Sequence, residues 1–109
     1  MTSELLTLFC TCPDAACAEG IAKTLVEERL AACVNLVPGL HSFYRWEDRV
    51  RDDSEVLLIV KTARERFKAV EARIGELHPY ELPELVAVPI TTGNARYLAW
   101  LRNESSSIS

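Results

Sequence analysis

From residue 5 to residue 10 the chain is almost wholly apolar or small, a run too short for a helix and suited to a strand covered on both faces. Cys12-Pro13-Asp14 ends it, because proline cannot extend a ladder and Asp14 offers a helix cap. Across 15–30, apolar residues recur at Ala18, Ile21, Ala22, Leu25, Val26 and Leu30. Glu19, Lys23, Glu27 and Glu28 take the other side, which predicts an amphipathic helix. Residues 33–37 read as a strand that Pro38-Gly39 breaks or bends, and 41–46 resumes it with Phe43, Tyr44 and Trp46. Glu47-Asp48-Arg49 is a hairpin turn, and 56–61 an apolar strand after the charged 51–55. Together they predict a long hairpin whose tip reaches beyond the body of the domain.

Thr62-Ala63-Arg64-Glu65 has the form of a capping box. Phe67, Val70, Ile74 and Leu77 follow at helical spacing, with Gly75 a mild liability inside the helix. Pro79 pushes His78 out of the helical region, so this helix closes there. Residues 85–90 form a fourth strand, and Gly93-Asn94 opens a last helix carrying Tyr97, Leu98, Trp100 and Leu101. A polar, Ser-rich tail follows from about 103 to 109.

The order is β-α-β-β-α-β plus a terminal helix, an α+β ferredoxin-like arrangement with helices over one face of the sheet. The other face carries apolar and aromatic positions with nothing in the chain to cover it, which predicts self-association. All 109 residues form one domain, with its core at about 5–102.

Composition narrows the partners. A net charge of −4 argues against nonspecific nucleic-acid binding and suits a cation-binding or metabolite-binding surface. No apolar stretch approaches a membrane span, and no basic segment precedes one at the N-terminus, so a cytoplasmic location is expected. Cys10, Cys12, Cys17 and Cys33 are then expected as reduced thiols.

The densest candidate chemistry lies in His78-Pro79-Tyr80-Glu81-Leu82-Pro83-Glu84. Its two prolines stiffen a connector that presents an imidazole, a phenol and carboxylates. His78 reads either as a helix C-terminal cap or as a ligand or acid/base group in a cleft, with Tyr80 and Glu84 lining it and Pro83 as scaffold. Cys10 and Cys12 leave the same face of a strand end, as metal ligands or as small core hydrophobes. Thiolate and imidazole donors suit copper or zinc, and soft sulfur favours Cu(I). Lys61 either snorkels to solvent or pairs with a carboxylate such as Glu84. Cys17 and Cys33 read first as packing, His41 as a surface residue, and Trp46 and Trp100 as interface packing. The chain has no Ser-His-Asp order, Gly-rich phosphate loop or His-Glu-x-x-His, so no enzymatic activity is expected. An acylphosphatase loop and the aromatic pattern of RNA-recognition modules are also missing from the sequence.

Several long motifs carry a family resemblance. They include Leu25-Val26-Glu27-Glu28-Arg29-Leu30-Ala31-Ala32-Cys33-Val34-Asn35, Pro38-Gly39, Ser42-Phe43-Tyr44-Arg45-Trp46-Glu47 and Glu55…Lys61-Thr62. With the His78–Glu84 connector and Tyr97-Leu98-Ala99-Trp100, the chain resembles the divalent-cation tolerance (CutA) family over about residues 5 to 102. The resemblance implies a tight homotrimer with long hairpins extending sheets across subunit boundaries, and a role in tolerating copper or other divalent cations. It implies Cys10 and His78 as metal ligands. Of a His-His-Pro-Tyr form in some members, Leu77 replaces the first histidine, and Asp48 stands where glycine is usual.

The expected function is therefore a cytoplasmic, trimeric metal-binding protein that binds copper or another divalent cation. Inter-subunit clefts would be lined by Cys33, Tyr44, Trp46, Lys61, Tyr80, Pro83, Glu84 and Trp100. The alternative is a trimeric small-molecule sensor or signalling module resembling the nitrogen-regulatory PII proteins in architecture, using those clefts. A purely structural trimer that anchors another protein is a third reading.

Overall fold

The computed structural model describes residues 4–106. Strand β1 (Leu5–Cys12) passes through Pro13 into helix α1 (Ala15–Glu27). A carboxylate oxygen of Asp14 accepts the Cys17 amide at 2.8 Å, meeting one of the donors a helix start leaves unpaired. The helix stops at Glu27 rather than at Leu30. Arg29 turns into the left-handed region at φ 59°, and the amides of Leu30 and Ala31 both return to the Leu25 carbonyl, at 2.9 and 3.1 Å.

β2 (Cys33–Trp46) and β3 (Arg49–Ala63) form the long hairpin. Glu47 and Asp48 sit at its tip with φ of 52° and 63°, as a two-residue turn with positive φ at both positions requires. Pro38-Gly39 does not divide β2. It is absorbed as a register slip between Val37 and Leu40, with Gly39 at φ 83°. The charged segment 51–55 belongs to β3, since Arg51, Asp52, Asp53 and Ser54 pair with Tyr44, Phe43, Ser42 and His41 of β2.

A 3-10 turn at 64–66 precedes α2 (Phe67–Leu77). The predicted capping box does not form: neither helix start has a side-chain cap. Thr62 is buried instead, its Oγ1 donating to the Leu30 carbonyl at 2.6 Å, and Glu65 pairs with Arg102. β4 (Val86–Pro89) is shorter than the predicted 85–90, and α3 (Ala95–Glu104) is capped by the Asn94 side chain. The predicted tail begins too early. Ser105 is buried and its Oγ donates to the Leu101 carbonyl at 2.7 Å, while 107–109 lie outside the described residues.

The four strands run β2-β3-β1-β4 with every neighbouring pair antiparallel, the split β-α-β order expected. One face carries Leu6, Leu8, Cys10, Cys12, Val56, Leu58 and Val60 against Ile21 and Leu25 of α1 and Val70 and Ile74 of α2. Each of the large side chains among them is worth about 1.5–3 kcal/mol when fully buried. Leu101 of α3 joins Leu5, Ala32 and Ala63 in a second cluster. On the other face, cross-strand register aligns Phe9 with Ile59 and Val86, and Leu57 with Val37. Val37, Val86 and Val88 are exposed there.

Candidate metal centre and the adjoining cleft

Two residues apart at the end of β1, Cys10 and Cys12 project to the helix-covered face, and both are fully buried. His78 ends α2 in extended backbone at φ −82° and ψ 135°, as Pro79 demands, and this aims its ring back at β1. One donor atom from each of Cys10, Cys12 and His78 lies within 4.8 Å of the others, and all three residues are buried. Three ligands spaced evenly around an ion at a metal–sulfur distance of about 2.3 Å stand about 4 Å from one another, so these donors must draw inward to hold one.

Both imidazole nitrogens already have partners. His78 Nε2 lies 2.7 Å from the Thr11 carbonyl and donates to it, while Nδ1 accepts the Tyr80 amide at 3.1 Å. The two bonds together describe a neutral ring, so His78 closes α2 through its backbone amide to the Ile74 carbonyl and not through a charge on the helix dipole. It closes the helix and it belongs to the donor cluster. An ion must displace one of these backbone partners, which costs about 1–3 kcal/mol. Structural zinc binding is worth about 10–16 kcal/mol in small peptides, so the displacement is affordable.

The neighbouring Cys10 thiol, then burial, push the Cys12 pKa far above the ordinary thiol value. Burial, then the Cys12 thiol beside it, raise Cys17 to about 11. All four cysteines are free, and Cys17, only partly buried, packs against the hydrophobic core that includes Cys10 and Cys12.

Beyond Thr11, on the solvent side, the connector and the hairpin enclose a cleft of about 800 Å³. Tyr44, Trp46, Tyr80, Pro83 and Glu84 line this cleft of the single chain. Arg51 and Glu55 of β3 line it too and were not foreseen. The Tyr80 hydroxyl donates to the buried Glu55 at 2.8 Å. Burial first, and that bond second, raise the Tyr80 pKa well above 10. Tyr44 on β2 hydrogen-bonds Asp53, which raises its pKa as well.

Cys33, Lys61 and Trp100 stand elsewhere in the chain. Cys33 and Lys61 are cross-strand partners, and Lys61 Nζ donates to Asn35 Oδ1 at 2.8 Å. That bond replaces the suggested pairing with Glu84. Trp100 is exposed on α3 and packs against Tyr97 with ring centroids 5.5 Å apart. His41 is exposed on the hairpin, paired with Asp52.

Residues 6–104 match the family model described as CutA1 divalent ion tolerance protein. The chain belongs to the CutA1 family. It is 55% identical over 95 residues to the divalent-cation tolerance protein CutA of Thermus thermophilus, covering 87% of this chain and 92% of that one. The solved structure of the Cut A1 protein from Thermus thermophilus superposes with a TM-score of 0.92 at 51% identity, covering 94% of this chain and 99% of the other. A CutA from Archaeoglobus fulgidus, described as periplasmic, superposes at 0.91 with 36% identity, covering 94% of this chain and 99% of that one. The mixed α+β fold is thus that of solved CutA1 structures, and the family is tied by name to divalent-cation tolerance. Within the described residues, no helix is long and apolar enough to cross a membrane.

The family name speaks of divalent cations in general, and the donor set is narrower. Hard ions such as Mg²⁺ and Ca²⁺ take oxygen ligands, and among the described residues no carboxylate joins the cluster of Cys10, Cys12 and His78. Two thiols and an imidazole fit copper and zinc. Cys12 was noticed in the sequence for sharing a face with Cys10, but nothing along the chain showed that His78 would close on both.

Proposed function

We propose that this CutA1-family chain is a homotrimeric metal-binding protein that takes up copper or a related divalent ion at Cys10 and His78. The carrying observation is the convergence of a strand-end thiol pair and an imidazole in one buried cluster. The trimer reading rests on the sheet face opposite the helices, where Phe9, Ile59, Leu57, Val37, Val86 and Val88 form an apolar surface. Identical copies are its expected cover, with the long hairpin reaching to a neighbour. A cytoplasmic location, where thiols stay reduced, suits the four free cysteines. The function so described is binding and sequestration, without catalysis.

Elemental analysis of purified protein, combined with its mass by sedimentation, tests the reading. Bound copper or zinc in a particle of three chains supports it. A compact single chain at micromolar concentration overturns the trimer. Competitive copper titration of wild type and His78→Ala, with equal affinity in both, removes His78 from the site.

The cleft favours a second reading, a trimeric small-molecule sensor of the PII-like kind. Its size falls in the range of small-ligand pockets, and Arg51 offers a cation beside the Tyr44 and Tyr80 phenols. Thermal stabilisation by an anionic metabolite, with no effect of metal, would favour this reading over the first.

A further inference from the structure

Cys12 is not required by the reading that places a metal at Cys10 and His78, yet its thiol is held within 4.8 Å of both other donors. It occupies the last position of β1, and its pairing with Val56 of β3 fixes its face.

We propose that Cys10, Cys12 and His78 form a three-ligand S₂N centre for a soft closed-shell ion, monovalent copper, and that Cys12 is the ligand that sets this preference. The inference rests on the metal-binding reading of Cys10 and His78 and names its ion. Two thiolates and one imidazole suit Cu(I), which soft sulfur selects. Zinc is almost always four-coordinate in structural sites, with a fourth protein ligand or an open position for water. Cys10, Cys12 and His78 make a group of three buried donors, and among the described residues no Asp or Glu belongs to it. Cys17 is partly exposed and packs against the hydrophobic core that includes Cys10 and Cys12. It is outside the group of mutually close donors, so it is not a ligand in this assignment.

The test uses full-length protein, reduced and kept free of oxygen, titrated with Cu(I) against bathocuproine disulfonate. X-ray absorption of the copper-loaded wild type counts its neighbours. The expected spectrum has two sulfur scatterers and one nitrogen. Cys12→Ala should weaken Cu(I) binding by more than the roughly 10–100-fold that loss of a supporting outer-shell partner costs. Cys17→Ser should leave Cu(I) affinity as in wild type. Near-ultraviolet circular dichroism establishes that each variant is folded, and the sulfur count on wild type stands whatever the variants do.

A single sulfur neighbour, or Cys12→Ala binding Cu(I) like wild type while Cys10→Ala and His78→Ala do not, overturns the role of Cys12 and leaves the metal-binding reading intact. Three sulfur neighbours, with Cys17→Ser as damaging as Cys12→Ala, overturn three-coordination. Cu(I) affinity unchanged in all of Cys10→Ala, Cys12→Ala and His78→Ala removes both the inference and the site beneath it.

Discussion

The Tyr80 phenol donates a 2.8 Å hydrogen bond to the carboxylate of Glu55, tying the proline-stiffened connector to β3 where the hairpin leaves the domain body. Glu55 is only 7% exposed, so this bond is a main compensation for burying its charge.

Tyr80→Phe should therefore lower stability by about 1.5–3 kcal/mol, the range for hydrogen bonds to charged groups. Urea denaturation at pH 7 measures it, and an unchanged midpoint would show that the bond contributes nothing. The same bond sets an alkaline limit. Burial and Glu55 raise the folded-state pKa of Tyr80 above its ordinary 10.0. The contribution is complete below pH 10 and shrinks as pH rises toward the folded value, because the unfolded chain loses the proton first. Tyr80→Phe should flatten that alkaline decline.

Arg73 of α2 grips Glu28 just past α1 in a two-pronged contact, Nε to Oε1 at 3.0 Å and Nη2 to Oε2 at 2.9 Å. The Arg73 hydrogen bonds hold the Glu28 pKa below its ordinary 4.5. Its contribution is present above pH 4.5 and is lost as pH falls through the depressed folded value. Glu28→Gln should remove part of the acid decline and leave the alkaline limb unchanged. Identical acid limbs in thermal melts of the two proteins would contradict this.

The buried Thr62 hydroxyl has one visible duty, the 2.6 Å bond to the Leu30 carbonyl where the chain leaves α1 for β2. Thr62→Val keeps the shape and strands that carbonyl, at a cost of about 1–3 kcal/mol. Thr62→Ser, which retains the hydroxyl, should lose less of this bond. Equal losses in the two variants by chemical denaturation would assign the role of Thr62 to packing.

Three glycines separate backbone strain from space. An added Cβ would touch nothing within 4 Å at Gly20, Gly39 or Gly75, but only Gly39 has a positive φ, 83°. Gly39→Ala should destabilise by about 1–2 kcal/mol through the left-handed backbone alone. Gly20→Ala in α1 and Gly75→Ala in α2 should each stabilise by about 0.5–1 kcal/mol. Melting temperatures that moved in the same direction at all three sites would refute the distinction.

The elements were legible where one local pattern decided them. The spacing of Ile21 and Leu25, or of Val70 and Ile74, marks a buried helix face whatever packs on it. Pro79 stops α2 by backbone sterics, and Asp48 accepts positive φ at the hairpin tip. Local signals failed where a partner distant in sequence outbid them. Thr62 looked like a helix cap, but the Leu30 carbonyl claimed its hydroxyl. Pro38-Gly39 left a break or a bend open, and the ladder to β3 decided for a continuous β2 with a register slip. Lys61 found Asn35 on the neighbouring strand instead of Glu84.

From the sequence alone came the alternation, the proline-locked connector and the family motifs, and these determine the α+β order and the identity of Cys10 and His78 as donors to consider. Tertiary structure decided that Cys12 joins them, that Glu55 and Arg51 face the cleft, and that both nitrogens of His78 are engaged by backbone. Secondary structure repeats over a few residues, so short-range spacing encodes it. A site assembled from β1 and the end of α2 depends on how a sheet and a helix dock, and no local period records that distance.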